Sequence, residues 1–203
     1  MAAGDTFGFL TDQNTLMAVV LGAILATIGG FTATALERHL DRREREQNAA
    51  LFFGEILSSL AIIIKFAEET KKIGDPYGPV TMRMLRSARN ELDIYDRNRE
   101  QVFSLRDGDL RARIQTLLIR ISMPIDGVIE ASDDIRTLRE MLRTIRDPDE
   151  RAEIEARLRT DEARRNSGFE FILQTAAELK VVIASLGPIA RHSFDRLDRV
   201  ARS

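Results

Sequence analysis

From Thr15 to Leu36 the chain reads TLMAVVLGAILATIGGFTATAL, 22 residues without a charge. No other feature restricts the fold as much. A hydrocarbon core ~30 Å thick takes about 20 helical residues at ~1.5 Å each to cross, so the run has the length of a membrane span. All 30 Lys and Arg lie after Leu36, with Arg38, Arg42, Arg43 and Arg45 directly behind it, whereas the first 36 residues carry only Asp5 and Asp12. Because basic residues are retained on the cytoplasmic side, the N-terminus is expected outside and residues 37–203 in the cytoplasm. A cleaved signal peptide is the rival reading, with Ala33-Thr34-Ala35 as a small-x-small site. Against it stand a leading segment without positive charge and an apolar stretch longer than a usual signal core.

Small residues recur at every fourth position of this run: Ala18, Gly22, Ala26, Gly30 and Thr34. Such a stripe lets a second helix approach to backbone contact, which makes it a candidate face for self-association. The plainer alternative is that Gly and Ala are common in membrane helices. The Arg38, Arg42, Arg43 and Arg45 cluster is the candidate topology and lipid-headgroup determinant, each cation contributing on the order of 1 kcal/mol beside an anionic leaflet. Interleaved Glu37, Asp41, Glu44 and Glu46 weaken the headgroup role.

The remainder reads as helix throughout. Residues 37–48 are a polar juxtamembrane stalk. Ala49 to Ala67, AALFFGEILSSLAIIIKFA, is apolar on nearly every face, and a core helix is preferred to a second span because Glu55 would sit within it at a cost of a few kcal/mol. Buried in a core, Glu55 would need an arginine partner. Gly74-Asp75-Pro76-Tyr77-Gly78-Pro79 is dense in turn residues. After it, Met82, Leu85, Ala88, Leu92 and Tyr95 predict an amphipathic helix from Val80 to about Val102. Asp107 is a plausible cap for a long, near-heptad helix from Leu110 to Ile145 with Pro124 inside. Asp147-Pro148-Asp149-Glu150 marks the start of its antiparallel partner, whose polar first half predicts a solvated hairpin tip and whose end is expected at Gly187-Pro188. A short amphipathic piece, Ile189 to Arg202, carries Arg191, Arg196, Arg199 and Arg202. It is expected to pack back through Ile189, Phe194, Leu197 and Val200.

The fold expected is therefore all-α: one N-terminal transmembrane helix (15–36) after a short outer segment (1–14), a stalk, and an antiparallel bundle of about four helices (49–203). Charged residues at 31% with only 6% aromatics suit long charge-faced helices.

Composition excludes several chemistries. Without Cys there is no disulfide, thiolate metal site or cysteine nucleophile, and a net charge of -2 supplies no global field for nucleic acid. No phosphate loop, HExxH or paired Glu-x-x-His motif occurs. His39 and His192 read as solvated. Arg83, Arg86 and Arg89, one turn apart, are the remaining candidates for a phosphate or carboxylate ligand, against which Glu91 and Asp93 follow closely. No catalytic residue, metal or cofactor is assigned, and no small-molecule ligand is evident. The partners expected are the lipid bilayer and a second copy or another membrane protein.

Ile94-Tyr95-Asp96-Arg97-Asn98, followed by Val102-Phe103-Ser104-Leu105 and the helix opening at Asp109-Leu110, resembles a loose group of bacterial proteins. Those have an N-terminal membrane helix, a polar stalk and a helical domain in which a Tyr-Asp-x-Asn stretch leads into a turn and another helix. Their next helix is often aromatic-rich, where this chain has Leu117-Leu118-Ile119. The resemblance implies a single-pass protein of the bacterial inner membrane and carries no activity. The function expected is a membrane-tethered interaction or scaffold module. A transmembrane signal relay or sensor subunit is the alternative, and an enzyme is least favoured.

Overall fold

Turn chemistry divides the chain after the first long helix. Asp75 accepts the backbone N–H of Tyr77 at 3.1 Å and Pro79 opens a helix whose entry is Gly78. Asp107 Oδ1 accepts from the N–H groups of Asp109 (2.9 Å) and Leu110 (3.0 Å), and Asp147 Oδ1 from that of Asp149 (2.9 Å). Each carboxylate satisfies donors that a helix start leaves open.

The computed structural model describes the backbone of residues 13–194; within that range the side chains of residues 13–16, 18, 19, 28, 29 and 31–35 lie outside the described residues. The elements are α1 (Gln13–Lys71), α2 (Pro79–Asn98), a 3-10 turn (Arg99–Ser104), α3 (Gly108–Thr144) and α4 (Pro148–Ala190). No strand occurs among the described residues. The chain is all-α and divides into two compact units, Met1–Glu44 and Arg45–Ser203.

In the second unit one core draws on all four long helices. Phe53, Leu57, Leu60 and Ile64 of α1 meet Leu85 and Leu92 of α2, Ile114, Leu118, Ile121 and Ile125 of α3, and Phe169, Ile172, Leu179 and Leu186 of α4. Fully burying a side chain of this size stabilises by roughly 1.5–3 kcal/mol. α3 and α4 run antiparallel from a three-residue connection. Moving away from it, Arg139 meets Glu162 at 2.8 Å, Asp134 meets Arg164 at 3.0 Å and Arg120 meets Glu178 at 2.9 Å. Gly168 sits at a close approach of the two helices. A Cβ there would stand 2.9 Å from Val128 Cγ2.

Four expectations are corrected. α2 ends at Asn98 rather than Val102: Asn98 leaves helical geometry at φ -120° and its Nδ2 donates back to the Ile94 carbonyl at 2.8 Å. α4 runs through Gly187-Pro188 to Ala190, Pro188 forgoing one hydrogen bond in the last turn. It stops at Arg191, left-handed at φ 51°, with the His192 N–H on the Gly187 carbonyl. Glu55 is exposed and needs no buried partner. The polar start of α4 is not all solvated tip, because Ile154 is buried within its first two turns and Arg165 is half-buried further in.

Beyond Ala190 the chain turns back. Phe194 is buried with its ring over Gly54, in the space where a Cβ would otherwise be. Gln47 Nε2 donates to the Ala190 carbonyl at 3.3 Å on the same side. Packing through Phe194 is thus as expected; Arg196, Leu197, Arg199, Val200 and Arg202 lie outside the described residues.

Candidate functional site

The sequence places its candidate residues on the first unit and around its border with the second. Within α1, Gly22, Ala26 and Gly30 are exposed, and a Cβ built on Gly22 or Gly30 meets nothing within 4 Å. The side chains of Ala18 and Thr34, the ends of the same stripe, lie outside the described residues. Exposure is not confined to the small residues. Every residue from Val20 to Thr27 is exposed, and the eight consecutive positions cover more than two turns and every face of the helix. Val20, Leu21, Ile24 and Leu25 are 47%, 54%, 49% and 68% exposed. Thr27 satisfies its own hydroxyl by donating to the Ala23 carbonyl at 2.7 Å, the usual way a helix conceals a polar group in an apolar setting.

Arg38, Arg42, Arg43 and Arg45 are exposed, as is His39. Two stretches are long and apolar enough to cross a membrane among the residues whose side chains are described: Leu36–Lys71, with a mean hydropathy of 1.9 over its most apolar window, and Pro148–Ala190, with 1.4. Each also buries part of that window, 50% and 28%, because Phe53 to Ile64 and Phe169 to Leu186 belong to the core.

The arginine triplet of α2 is engaged inside the fold. Arg89 Nε lies 2.8 Å from Asp126 of α3, and its NH1 lies 2.9 Å from Asp93 and 3.8 Å from Asp96. Arg86 reaches Asp133 of α3 at 3.8 Å. Only Arg83 remains exposed without one of these carboxylates. Arg86 and Arg89 clasp α2 to α3, so the three arginines do not form one cationic row. Exposed pairs of this kind each contribute about 0–1 kcal/mol.

A second cluster escaped the sequence reading. The Arg165 guanidinium stacks 3.8 Å from the centroid of Tyr77, whose hydroxyl donates to Asn166 Oδ1 at 2.7 Å. Tyr77 meets the edge of Phe169 at 5.9 Å, and Lys71 Nζ stands 4.3 Å over the Phe169 ring while pairing with Glu170 at 3.1 Å. Burial pulls the Arg165 pKa down, and Tyr77 and Glu162 partly oppose it. Two cations and two rings thereby fix the α1–α2 loop to the middle of α4. Its one sequence signal is the placement of Tyr77, one of two tyrosines, among Gly and Pro.

Among the described residues no group of three or more His, Asp and Glu side chains is placed to hold a metal ion. Comparison with protein-family models, with curated proteins and with solved structures finds no match.

Proposed function

We propose that the chain is a membrane-tethered interaction module: a single span at Thr15 to Leu36, N-terminus outside, and a cytoplasmic helical bundle that acts as a scaffold at the inner face of a bacterial membrane. The observation that carries the reading is the exposure of every residue from Val20 to Thr27. Apolar side chains on all faces of one helix need an apolar surround, and lipid supplies it. Leu36–Lys71 and Pro148–Ala190 are then core helices, their apolar faces already spent on one another. The exposed arginines after Leu36 act as the topology signal, and Gly22, Ala26 and Gly30, with Ala18 and Thr34, offer the face on which two copies pair.

The natural absence of cysteine makes the topology directly readable. In Ala3→Cys and Thr160→Cys variants, a membrane-impermeant thiol reagent is expected to label position 3 in intact cells and position 160 only after the membrane is opened. The reverse pattern, or release of the protein by alkaline carbonate, would sink the tether. Leu at Gly22, Ala26 and Gly30 together is expected to abolish self-association in a bilayer; unchanged association would remove the pairing face. A relay reading draws on one observation, that α1 supplies residues to both units. It requires that inserting one residue in the membrane segment shift crosslinks among α2, α3 and α4, which a passive tether does not do.

A further inference from the structure

Within the second unit, the 3-10 turn Arg99–Ser104 holds Phe103 out to solvent. Val102 and Leu105 on either side of it are fully buried, whereas Phe103 is 71% exposed. The backbone there is pinned by three contacts. Leu105 N–H is bonded to the Val102 carbonyl at 3.1 Å, and the Arg111 guanidinium donates to the Leu105 carbonyl at 2.7 Å. Glu46 of α1 accepts from the Arg106 N–H at 3.0 Å and lies 3.2 Å from the Arg106 Nε. A lone exposed apolar residue is ordinary on a protein surface. This one is presented by a turn with little freedom to retract it, and its chain neighbours are cationic: Arg97 to Arg106 contains three arginines and one acid, Glu100. Arg97 and Arg99 are exposed.

Glu46 also limits how far this turn can stand from the apolar run. It follows Leu36 by ten residues, ~15 Å of helix and at most ~36 Å of fully extended chain. Phe103 is three residues from the Arg106 that Glu46 holds, at most about 11 Å more. The limit is covalent and applies however the two units are disposed. Ile73, at the other end of the second unit's part of α1, provides a contrast. It is 77% exposed and lies beyond Lys71, ~38 Å along the helix from Glu46.

We propose that the Arg99–Ser104 turn is a second membrane contact, through which the bundle rests on an anionic leaflet. The Phe103 ring enters the boundary between headgroups and acyl chains, and Arg97 and Arg99 lie on the lipid phosphates. That boundary suits the pair, since the ring gains an apolar surround and a guanidinium forms bidentate bonds to phosphate oxygens. The proposal rests on the single-span reading of Thr15 to Leu36, which brings the leaflet within reach of the turn.

The test places an environment-sensitive fluorophore on Leu25→Cys, Ile73→Cys or Phe103→Cys variants of the full-length chain. Each is reconstituted in phosphatidylcholine–phosphatidylglycerol nanodiscs whose lipids carry a quencher either near the headgroup or deep in the acyl chain. The label at position 103 is expected to be quenched by the shallow lipid at least threefold more than the label at 73, and the label at 25 by the deep lipid. Arg97→Glu with Arg99→Glu, or discs of phosphatidylcholine alone, should cut quenching at 103 at least threefold while thermal unfolding stays unchanged. With the label on Ser104→Cys instead, so that the ring is present, Phe103→Ser should lower shallow quenching by a similar factor. Quenching at 25 without quenching at 103, or equal quenching at 103 and 73, would overturn the contact and leave the span standing. A water-exposed label at 25 removes the span, and the contact falls with it. Emission from 103 that is shielded from water yet indifferent to the lipid quenchers would put a protein surface there, the chain's own tail or a second copy, and would equally overturn the assignment.

Discussion

Two stretches of α1 are almost equally apolar and lie in opposite surroundings. Between Val20 and Thr27 all eight residues are exposed, whereas Ala49 to Ala67 buries Ala49, Ala50, Phe53, Ile56, Leu57, Leu60, Ile64 and Ala67. Hydropathy does not separate them. What does is the company each keeps along the chain. The later stretch places its buried residues at spacings of three and four and sets Glu55 and Lys65 on the opposite, exposed side, so one face can be matched by α2, α3 and α4 while the other meets water. The earlier stretch has no polar side to offer. An apolar helix becomes a core helix when its few polar residues agree on a direction.

The sharpest way to break that contrast is truncation of one large side chain in each stretch. Phe53→Ala removes a ring that is fully buried and 6.1 Å from Tyr95. It is expected to lower the unfolding free energy by about 3–5 kcal/mol, read from urea unfolding of the solubilised full-length chain. Leu25→Ala should stay within about 0.5 kcal/mol of the parent. Comparable losses at the two positions would end the distinction.

Glycine offers the next test. Leucine at Gly168 must displace Val128 and is expected to cost about 1–3 kcal/mol through overpacking, whereas leucine at Gly22 meets open space and should leave the unfolding midpoint unmoved. A smaller effect comes from Tyr95, whose pKa burial pushes up, Asp96 adding to that and Arg99 opposing it. A raised folded-state pKa means stability is fully present below the unfolded value of ~10 and is lost as pH rises from there through the folded value. Tyr95→Phe should flatten that alkaline decline, measured as unfolding midpoints from pH 9 to 11. An unaltered slope would show that Tyr95 does not titrate with folding.

Helix identity was legible because it is written locally. Asp107 and Asp147 are caps within one turn of what they cap, and Met82, Leu85, Ala88, Leu92 and Tyr95 carry their own period. Errors arose where a distant partner decides. Gly187-Pro188 reads as a stop, yet the stop is a left-handed Arg191 whose following turn is fixed by Phe194 reaching Gly54. Glu55 reads as an intruder in a run apolar on nearly every face, yet it lies on the side of the helix that the other helices leave open. Arg83, Arg86 and Arg89 read as a candidate cationic row with Glu91 and Asp93 close by; the carboxylates that tie Arg89 and Arg86 to α3, Asp126 and Asp133, lie more than thirty residues downstream. The Arg165–Tyr77–Phe169–Lys71 stack joins a loop to a helix nearly ninety residues away, and no local pattern announces such a meeting.

The seating of Phe194 on Gly54, with Gln47 bonded to the Ala190 carbonyl, also sets an order of events in synthesis. A face of α1 is covered by a residue that is synthesised only after α2, α3 and α4. While α2 to α4 are still emerging, Leu36–Lys71 is an apolar helix that satisfies the length and hydropathy of a span and has not met the faces that later cover it. A chain that stops short of Phe194 leaves the groove beside Gly54 unfilled and the α1 face there open, and such surface on an unfinished domain invites aggregation.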